Sequence, residues 1–128
     1  MQLEIYFNHQ CAWDTLPPPV LIGLRDMIKN LDFEVERGSG PLLREHMMPM
    51  LRGSGWSGEL LFHSESKLSI TAMRESCGMC MQTGNMSRFY ADLIKLEYLY
   101  INEVIDGGLY IALHQKSSQN YGFQYCQF

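Results

Sequence analysis

The chain has 128 residues, 46% of them hydrophobic, and a formal net charge of −4. This length allows one domain with its own core and excludes two domains of ordinary size, so we expect a single domain over residues 1–128. The negative charge argues against strong non-specific binding to nucleic acid, because contacts between basic residues and phosphates dominate that affinity. The sequence has neither a membrane-spanning apolar run nor a signal peptide, so we expect a cytoplasmic protein without a membrane partner.

The first part of the chain predicts one strand and two helices. Polar and apolar residues alternate over residues 1–7, which is typical of a short strand with one buried face. After three prolines, apolar residues recur with helical spacing over residues 18–30, and proline is tolerated in the first turn of a helix. Residues 33–36 alternate again and predict a short strand or an extended link. A second helix is predicted over residues 42–51, although Pro49 removes one of its backbone hydrogen bonds.

The middle of the chain changes from helical spacing to alternation. Residues 59–63 and 68–73 predict two antiparallel strands joined by a polar turn, and a third strand that includes residues 79–82 is predicted after the turn at residues 74–76. These elements would form a three-stranded meander.

A long helix is the clearest element of the second half. Residues 86–104 carry a broad apolar face, and Asp106-Gly107-Gly108 then ends the helix. Residues 109–113 alternate as a final strand. Because a strand, a helix and a strand form one crossover unit, the third and final strands should be parallel neighbours. No element is indicated for residues 114–128, which are a candidate irregular tail.

Several apolar residues flank the main stripe of the long helix. Ile94, Tyr98 and Ile101 make the apolar face wider than one sheet surface requires. Two interpretations stay open: these side chains are buried in the core, or they form the interface of a homodimer.

Cys77 and Cys80 form a Cys-x-x-Cys pair. A zinc site needs four ligands, and no second close pair of cysteines or histidines supplies the others. A redox pair belongs at the start of a helix, where the helix dipole lowers the thiol pKa, whereas this pair falls within a predicted strand. We therefore predict buried structural cysteines. A metal role, a redox role and a nucleophilic pair between Cys80 and His63 are the alternatives.

Alternation in the third strand places Met79 and Met81 on one side and Cys80 and Gln82 on the other. The segment Cys80-Met81-Gln82-Thr83-Gly84-Asn85, with the order of helices and strands around it, resembles the BglII-like restriction endonucleases of the PD-(D/E)XK superfamily. The resemblance implies a mixed α/β fold, with a restriction-endonuclease-like core of two N-terminal helices, a meander, a long crossover helix and a parallel final strand. It also implies DNA as a partner, a homodimer and Mg²⁺-dependent cleavage.

The resemblance can be carried over position by position. It assigns Gln82 to the last position of the catalytic motif and Asn85 to a phosphate contact at the helix start. The two positions that hold carboxylates in the family are Thr71 and Cys80 in this chain. A hydroxyl and a soft thiol replace the anionic oxygens that Mg²⁺ prefers. We therefore expect Thr71, Cys80 and Gln82 to form a degenerate catalytic site with no metal, and Mg²⁺ only if the protein is active.

Other charged residues could change this conclusion. Arg88, in the first turn of the long helix, has two interpretations: it contacts phosphate, or it pairs with Asp92 four residues later. Displaced carboxylates could also restore a metal site, and Glu59, Glu75 and Asp26 are the candidates.

Three hypotheses for function follow from the sequence. The first is a restriction-endonuclease-like protein with a degenerate metal site that binds DNA or a protein. The second is an active Mg²⁺-dependent endonuclease with displaced carboxylates. The third is a dimeric protein-interaction module unrelated to nucleic acid.

Overall fold

The computed structural model describes residues 3–8, 18–34, 36, 38–84, 86–117 and 120–127. These residues form three α-helices, one 3₁₀ turn, a five-stranded sheet and a two-stranded sheet. The helices are α1 (Pro18–Lys29), α2 (Gly40–Gly53) and α3 (Phe89–Ile101), and the 3₁₀ turn Met86–Arg88 leads into α3. The strands are β1 (Leu3–Asn8), β2 (Leu60–His63), β3 (Leu68–Ile70), β4 (Ala72–Arg74), β5 (Cys77–Gln82), β6 (Gly107–Ser117) and β7 (Asn120–Gln127).

The large sheet has the strand order β1-β7-β6-β5-β4. The β5 and β6 strands are parallel neighbours and α3 connects them, which confirms the predicted crossover unit. The β4 and β7 strands are antiparallel to β5 and β6, respectively, and β1 is parallel to β7. A mixed sheet of this kind, with helices packed on it, is the predicted α/β class.

One face of the sheet is covered by α1 and α2. Apolar residues at helical spacing on both helices meet the side chains of β5 and β6 that point to the same face. Met79 and Met81 of β5 belong to this core, as the alternation predicted. The helix residues in it are Val20, Leu24, Met27, Ile28, Leu43, Met47 and Leu51.

The opposite face is covered by α3 and by the β2–β3 hairpin. Leu96 and Leu99 of α3 pack against Cys80 of β5 and Tyr110 of β6. The two faces of β5 are therefore both buried, and only its end, at Gln82, is partly exposed. The last residues of β5 therefore lie where helices from both faces of the sheet come together.

The helices agree with the sequence predictions in number and place, but the long helix ends earlier than predicted, at Ile101, and Gly107 and Gly108 begin β6. The first begins at the predicted proline, and the second is longer at both ends and continues through Pro49. Buried residues on both sides of that proline, Met47 and Leu51, anchor the helix despite the lost hydrogen bond. Among the helices of the described segments, none combines the length and the apolar character needed to cross a bilayer.

The predicted meander needs a correction. The strand predicted for residues 68–73 is divided at Thr71 into β3 and β4. The β3 strand pairs with β2 in the small sheet, whereas β4 pairs with β5 in the large one. Because the segment is divided at Thr71, the β2–β3 hairpin is separate from the large sheet and packs near α3.

Two other predictions concern regions between or after the main elements. Residues 31–34 are described and form no strand, and Val35 lies outside the described residues. The candidate irregular tail instead contains the end of β6 and all of β7, paired antiparallel. Tyr121, Phe123 and Tyr125 alternate in this segment, which is typical of a strand, so the prediction of an irregular tail missed a signal that the sequence carries.

Candidate functional site

A cavity of about 480 Å³ opens at the end of β5. The N-terminal turns of α2, the junction of β3 and β4, the end of β5 and the first turns of α3 all contribute to its wall. Its polar and charged lining residues are Arg44, Glu59, Ser69, Thr71, Gln82, Thr83, Arg88, Asp92 and Lys95.

A glycine allows α2 to approach this end of the strand. A Cβ atom at Gly40 would lie 2.5 Å from the carbonyl oxygen of Thr83, which is closer than real Cβ contacts. The helix start therefore packs directly on the backbone that follows β5. This contact brings Pro41 and Arg44 of α2 to the cavity.

Thr71 has a structural role at the strand junction. Its backbone N–H donates to the carbonyl of Met79 at 3.0 Å, and its hydroxyl oxygen accepts the backbone N–H of Met81 at 2.9 Å. The side chain thus continues the backbone pairing at the point where β3 ends and β4 begins. It is buried, and its hydroxyl is a neutral oxygen already bonded to a donor.

Cys80 lies between the cavity and the core beneath α3. Burial raises the pKa of its thiol to about 12, and the charge of Asp92 adds to this increase. The thiol therefore stays protonated at neutral pH, whereas a metal ligand or nucleophile must be a thiolate.

Gln82 is held by a carboxylate that the sequence analysis did not assign to the site. Its side-chain Nε2 donates to Oδ2 of Asp92 at 2.9 Å, and Lys95 Nζ contacts Oδ1 of the same carboxylate at 3.4 Å. Asp92 is only 5% exposed. A buried carboxylate needs such donors, because an unpaired charge away from water is costly.

Two arginines complete the charged lining. Arg44 donates from one guanidinium nitrogen to the carbonyl of Met81 at 3.1 Å, which ties α2 to β5. Arg88 is exposed, and its side chain makes no hydrogen bond or ion pair with the part of the chain that the structure describes. With Lys95, three basic residues line the cavity against the two carboxylates of Glu59 and Asp92.

The structure brings four of the five predicted site residues together. Thr71, Cys80, Gln82 and Arg88 all line the cavity, and Asn85 lies outside the described residues. The predicted pair between Arg88 and Asp92 does not form in the described structure, since Asp92 binds Gln82 and Lys95 instead.

Of the three candidate displaced carboxylates, one lies at the cavity and two lie elsewhere. Glu59 lines the cavity, whereas Asp26 on α1 and Glu75 in the turn after β4 do not. The charge of Glu75 instead acts on Cys77.

Sequence reasoning missed Asp92, Lys95 and Arg44 as parts of the site. One signal was available for Asp92: it lies on the apolar side of α3, three and four residues from Phe89 and Leu96. A charged residue on a buried helix face requires a polar partner there. No comparable signal marks Arg44, whose partner lies 37 residues away.

The two cysteines of the Cys-x-x-Cys pair are free and buried on opposite faces of β5. Burial raises the pKa of Cys77 to about 12 as well. The alternative pair of Cys80 and His63 does not form, because His63 does not line the cavity and its Nδ1 bonds Ser66. Buried structural cysteines, as predicted, account for both thiols.

The residues of the cavity do not fit the Mg²⁺ ion that a restriction-endonuclease fold implies. Mg²⁺ requires anionic or carbonyl oxygens, but Thr71 offers a neutral oxygen and Cys80 a protonated thiol. Both oxygens of Asp92 already accept side-chain donors, so among the described residues Glu59 is the one carboxylate of the lining without a hydrogen bond or ion pair. Among the described residues, no group of three or more His, Cys, Asp or Glu residues could hold a metal.

The strand order, the α3 crossover and a polar cavity at the end of β5 define a restriction-endonuclease-like α/β protein. A comparison with known protein families gives a closer relationship. The model of the family described as "Restriction endonuclease BamHI" matches residues 27–122 of the chain. The chain belongs to this family of restriction endonucleases. Searches of the curated proteins and of the solved structures gave no match.

Proposed function

We propose that this protein is a BglII-like variant of the restriction-endonuclease fold, a single domain that binds DNA in the cytoplasm without metal-dependent cleavage. The observation that carries the proposal is the pairing of a retained Gln82 with a hydroxyl at Thr71 and a protonated thiol at Cys80. In this proposal Gln82 keeps its place in the family motif, whereas neutral groups stand at the two positions where anionic oxygens would hold a metal.

The charges of the cavity support binding to a phosphate backbone. The chain as a whole is acidic, but Arg44, Arg88 and Lys95 are concentrated at one end of the sheet. Arginine guanidinium groups pair well with phosphate oxygens, and local basic residues rather than net charge determine such contacts. Thr71, Cys80 and Gln82 then act as a structural frame for this surface.

The test combines a cleavage assay with a binding assay. We expect the purified protein to leave supercoiled and linear duplex DNA intact in Mg²⁺ or Mn²⁺, and to shift a labelled duplex at low salt. Binding should weaken steeply as salt rises, because phosphate contacts release counterions. Cleavage that Gln82→Ala abolishes would overturn the proposal, and a shift that salt does not affect would count against phosphate contacts.

One observation favours a second candidate, an active endonuclease with displaced carboxylates. Glu59 lines the same cavity as Gln82, and its carboxylate has no hydrogen bond or ion pair with any residue that the structure describes. If the protein cuts DNA, Glu59→Gln should reduce cleavage strongly, because it removes the one carboxylate that is not already bound. The matched change Glu75→Gln, outside the cavity, should leave cleavage unchanged.

A further part of the proposal is a homodimer formed through α3. Ile94, Tyr98 and Ile101 are 69%, 51% and 67% exposed, and with Ala91 they follow the 3-4-3 spacing of a helix-pairing seam. With Tyr90, these side chains present on the order of 500 Å² per protomer, so two copies approach the roughly 1,000 Å² of a specific interface. This estimate supports a second copy of the chain as the occupant.

The dimer has a separate test by sedimentation or light scattering over a range of protein concentration. The wild type should dimerise, and Ile94→Arg should be monomeric with an unchanged circular dichroism spectrum. Ile22→Arg, at an exposed isoleucine of α1, is the control and should still dimerise. A wild type that stays monomeric at high concentration would refute the interface.

A further inference from the structure

Taking the proposed DNA binding as its basis, we propose that Lys95 takes the electrostatic place of a divalent cation in this cavity. A backbone phosphate of DNA would then lie directly on Lys95, Arg44 and Arg88, with no metal ion between protein and phosphate. This assigns a role to Lys95 and a metal-independent mode of contact to the site.

Lys95 lies in the cavity wall beside Asp92. Its Nζ lies 3.4 Å from Oδ1 of Asp92, and its side chain is 29% exposed and lines the cavity. An ammonium group has three donors and no acceptor. One contact to Asp92 leaves donors for an anion in the cavity, and the described residues supply no other partner for them.

Both oxygens of the Asp92 carboxylate already have side-chain partners. It is the one buried carboxylate in the lining, and its two oxygens are divided between Gln82 and Lys95. A divalent cation could bind there only by displacing one of these donors and by meeting the positive charge of Lys95 at close range. The lysine therefore supplies the positive charge that neutralises this carboxylate.

The remaining charges decide what the cavity attracts. If the charge of Lys95 is taken to neutralise that of Asp92, the remaining charges of the lining are the negative Glu59 and the positive Arg44 and Arg88. Arg88 has no partner among the described residues, and Arg44 uses one guanidinium nitrogen for the carbonyl of Met81. The lining is net positive without any ion, which favours direct contact with phosphate.

The experiment measures binding of a fluorescent DNA duplex by anisotropy in EDTA, Mg²⁺ and Ca²⁺ at matched ionic strength. We expect the affinity to agree within about twofold across the three conditions, because no metal takes part in binding. Lys95→Gln should weaken binding by about fivefold or more and should lower the slope of log K against log salt by about one. Lys29→Gln, at the exposed end of α1, is the charge-matched control and should bind like the wild type.

A second variant keeps the test valid if Lys95→Gln folds poorly. Arg88→Gln changes an exposed side chain that has no hydrogen bond or ion pair with the described residues. This variant should therefore bind DNA more weakly and unfold with the same free energy as the wild type. Binding that tightens about tenfold in Ca²⁺, or full affinity in both variants, would overturn the inference and leave the proposed DNA binding in place. Absence of duplex binding in all three conditions would overturn both.

Discussion

Replacement of Asp92 by alanine tests the central interaction of the site. The change leaves the Gln82 amide and the Lys95 ammonium without their shared acceptor at a position that is 5% exposed. A hydrogen bond to a charged group contributes about 1.5–3 kcal/mol, and the partly exposed lysine pair adds about 1 kcal/mol at most. We expect Asp92→Ala to lower the free energy of unfolding by about 2–3 kcal/mol.

The assay is urea unfolding followed by circular dichroism. For a small protein the dependence of unfolding free energy on urea is about 1–3 kcal/mol per molar, so the midpoint should fall by about 1 M. Glu97→Ala is the control, because Glu97 is an exposed carboxylate on the same helix and should have little effect.

A double-mutant cycle with Gln82→Ala isolates the bond between the two side chains. We expect a coupling energy of about 1–2 kcal/mol, since each single change removes the same 2.9 Å contact. A coupling energy near zero, or an Asp92→Ala variant as stable as Glu97→Ala, would show that this contact does not organise the cavity.

The close contact at the start of α2 and the two buried thiols give further predictions. Gly40→Ala places a methyl group 2.5 Å from the Thr83 carbonyl oxygen and should lower the free energy of unfolding in urea by about 1–3 kcal/mol. Gly53→Ala, whose methyl group would meet no atom within 4 Å beyond its chain neighbours and its own helix, should not lower it. Cys77 and Cys80 should resist iodoacetamide at pH 8 in the native state and react after unfolding, since both thiols are buried and protonated; rapid native alkylation would contradict their placement. Because burial raises the thiol pKa from 9.0 to about 12, the unfolded chain releases these protons first as pH rises. The contribution of these thiols to the free energy of unfolding should therefore be fully present below pH 9. It should fall between pH 9 and 12 by up to about 1.4 kcal/mol per pH unit for each thiol, and replacing both cysteines by alanine should reduce this pH dependence.

Elements whose cause is local could be predicted from sequence. The helix beginning at Pro18, the long helix and the strand that holds Met79 and Met81 each depend on apolar spacing within a few turns or a few pleats. The crossover rule then gave the parallel pairing of β5 with β6, because few arrangements connect two strands through a helix. The same alternation grouped Cys80 with Gln82 on one side of the strand.

Features that depend on distant partners could not be predicted. The break at Thr71 follows from two sheets competing for one segment, and the parallel pairing of β1 with β7 joins strands that are far apart in the sequence.

By itself, the sequence determined the order of the main elements, and its resemblance to the family predicted Thr71 and Cys80 at the two carboxylate positions. Tertiary structure alone decided how the cavity is charged. Asp92 reaches Gln82 from a separate helix, and Arg44 reaches the end of β5 from another. The physical reason is that periodicity reports which side of an element is buried, whereas the partner of a buried charge is set by how whole elements pack.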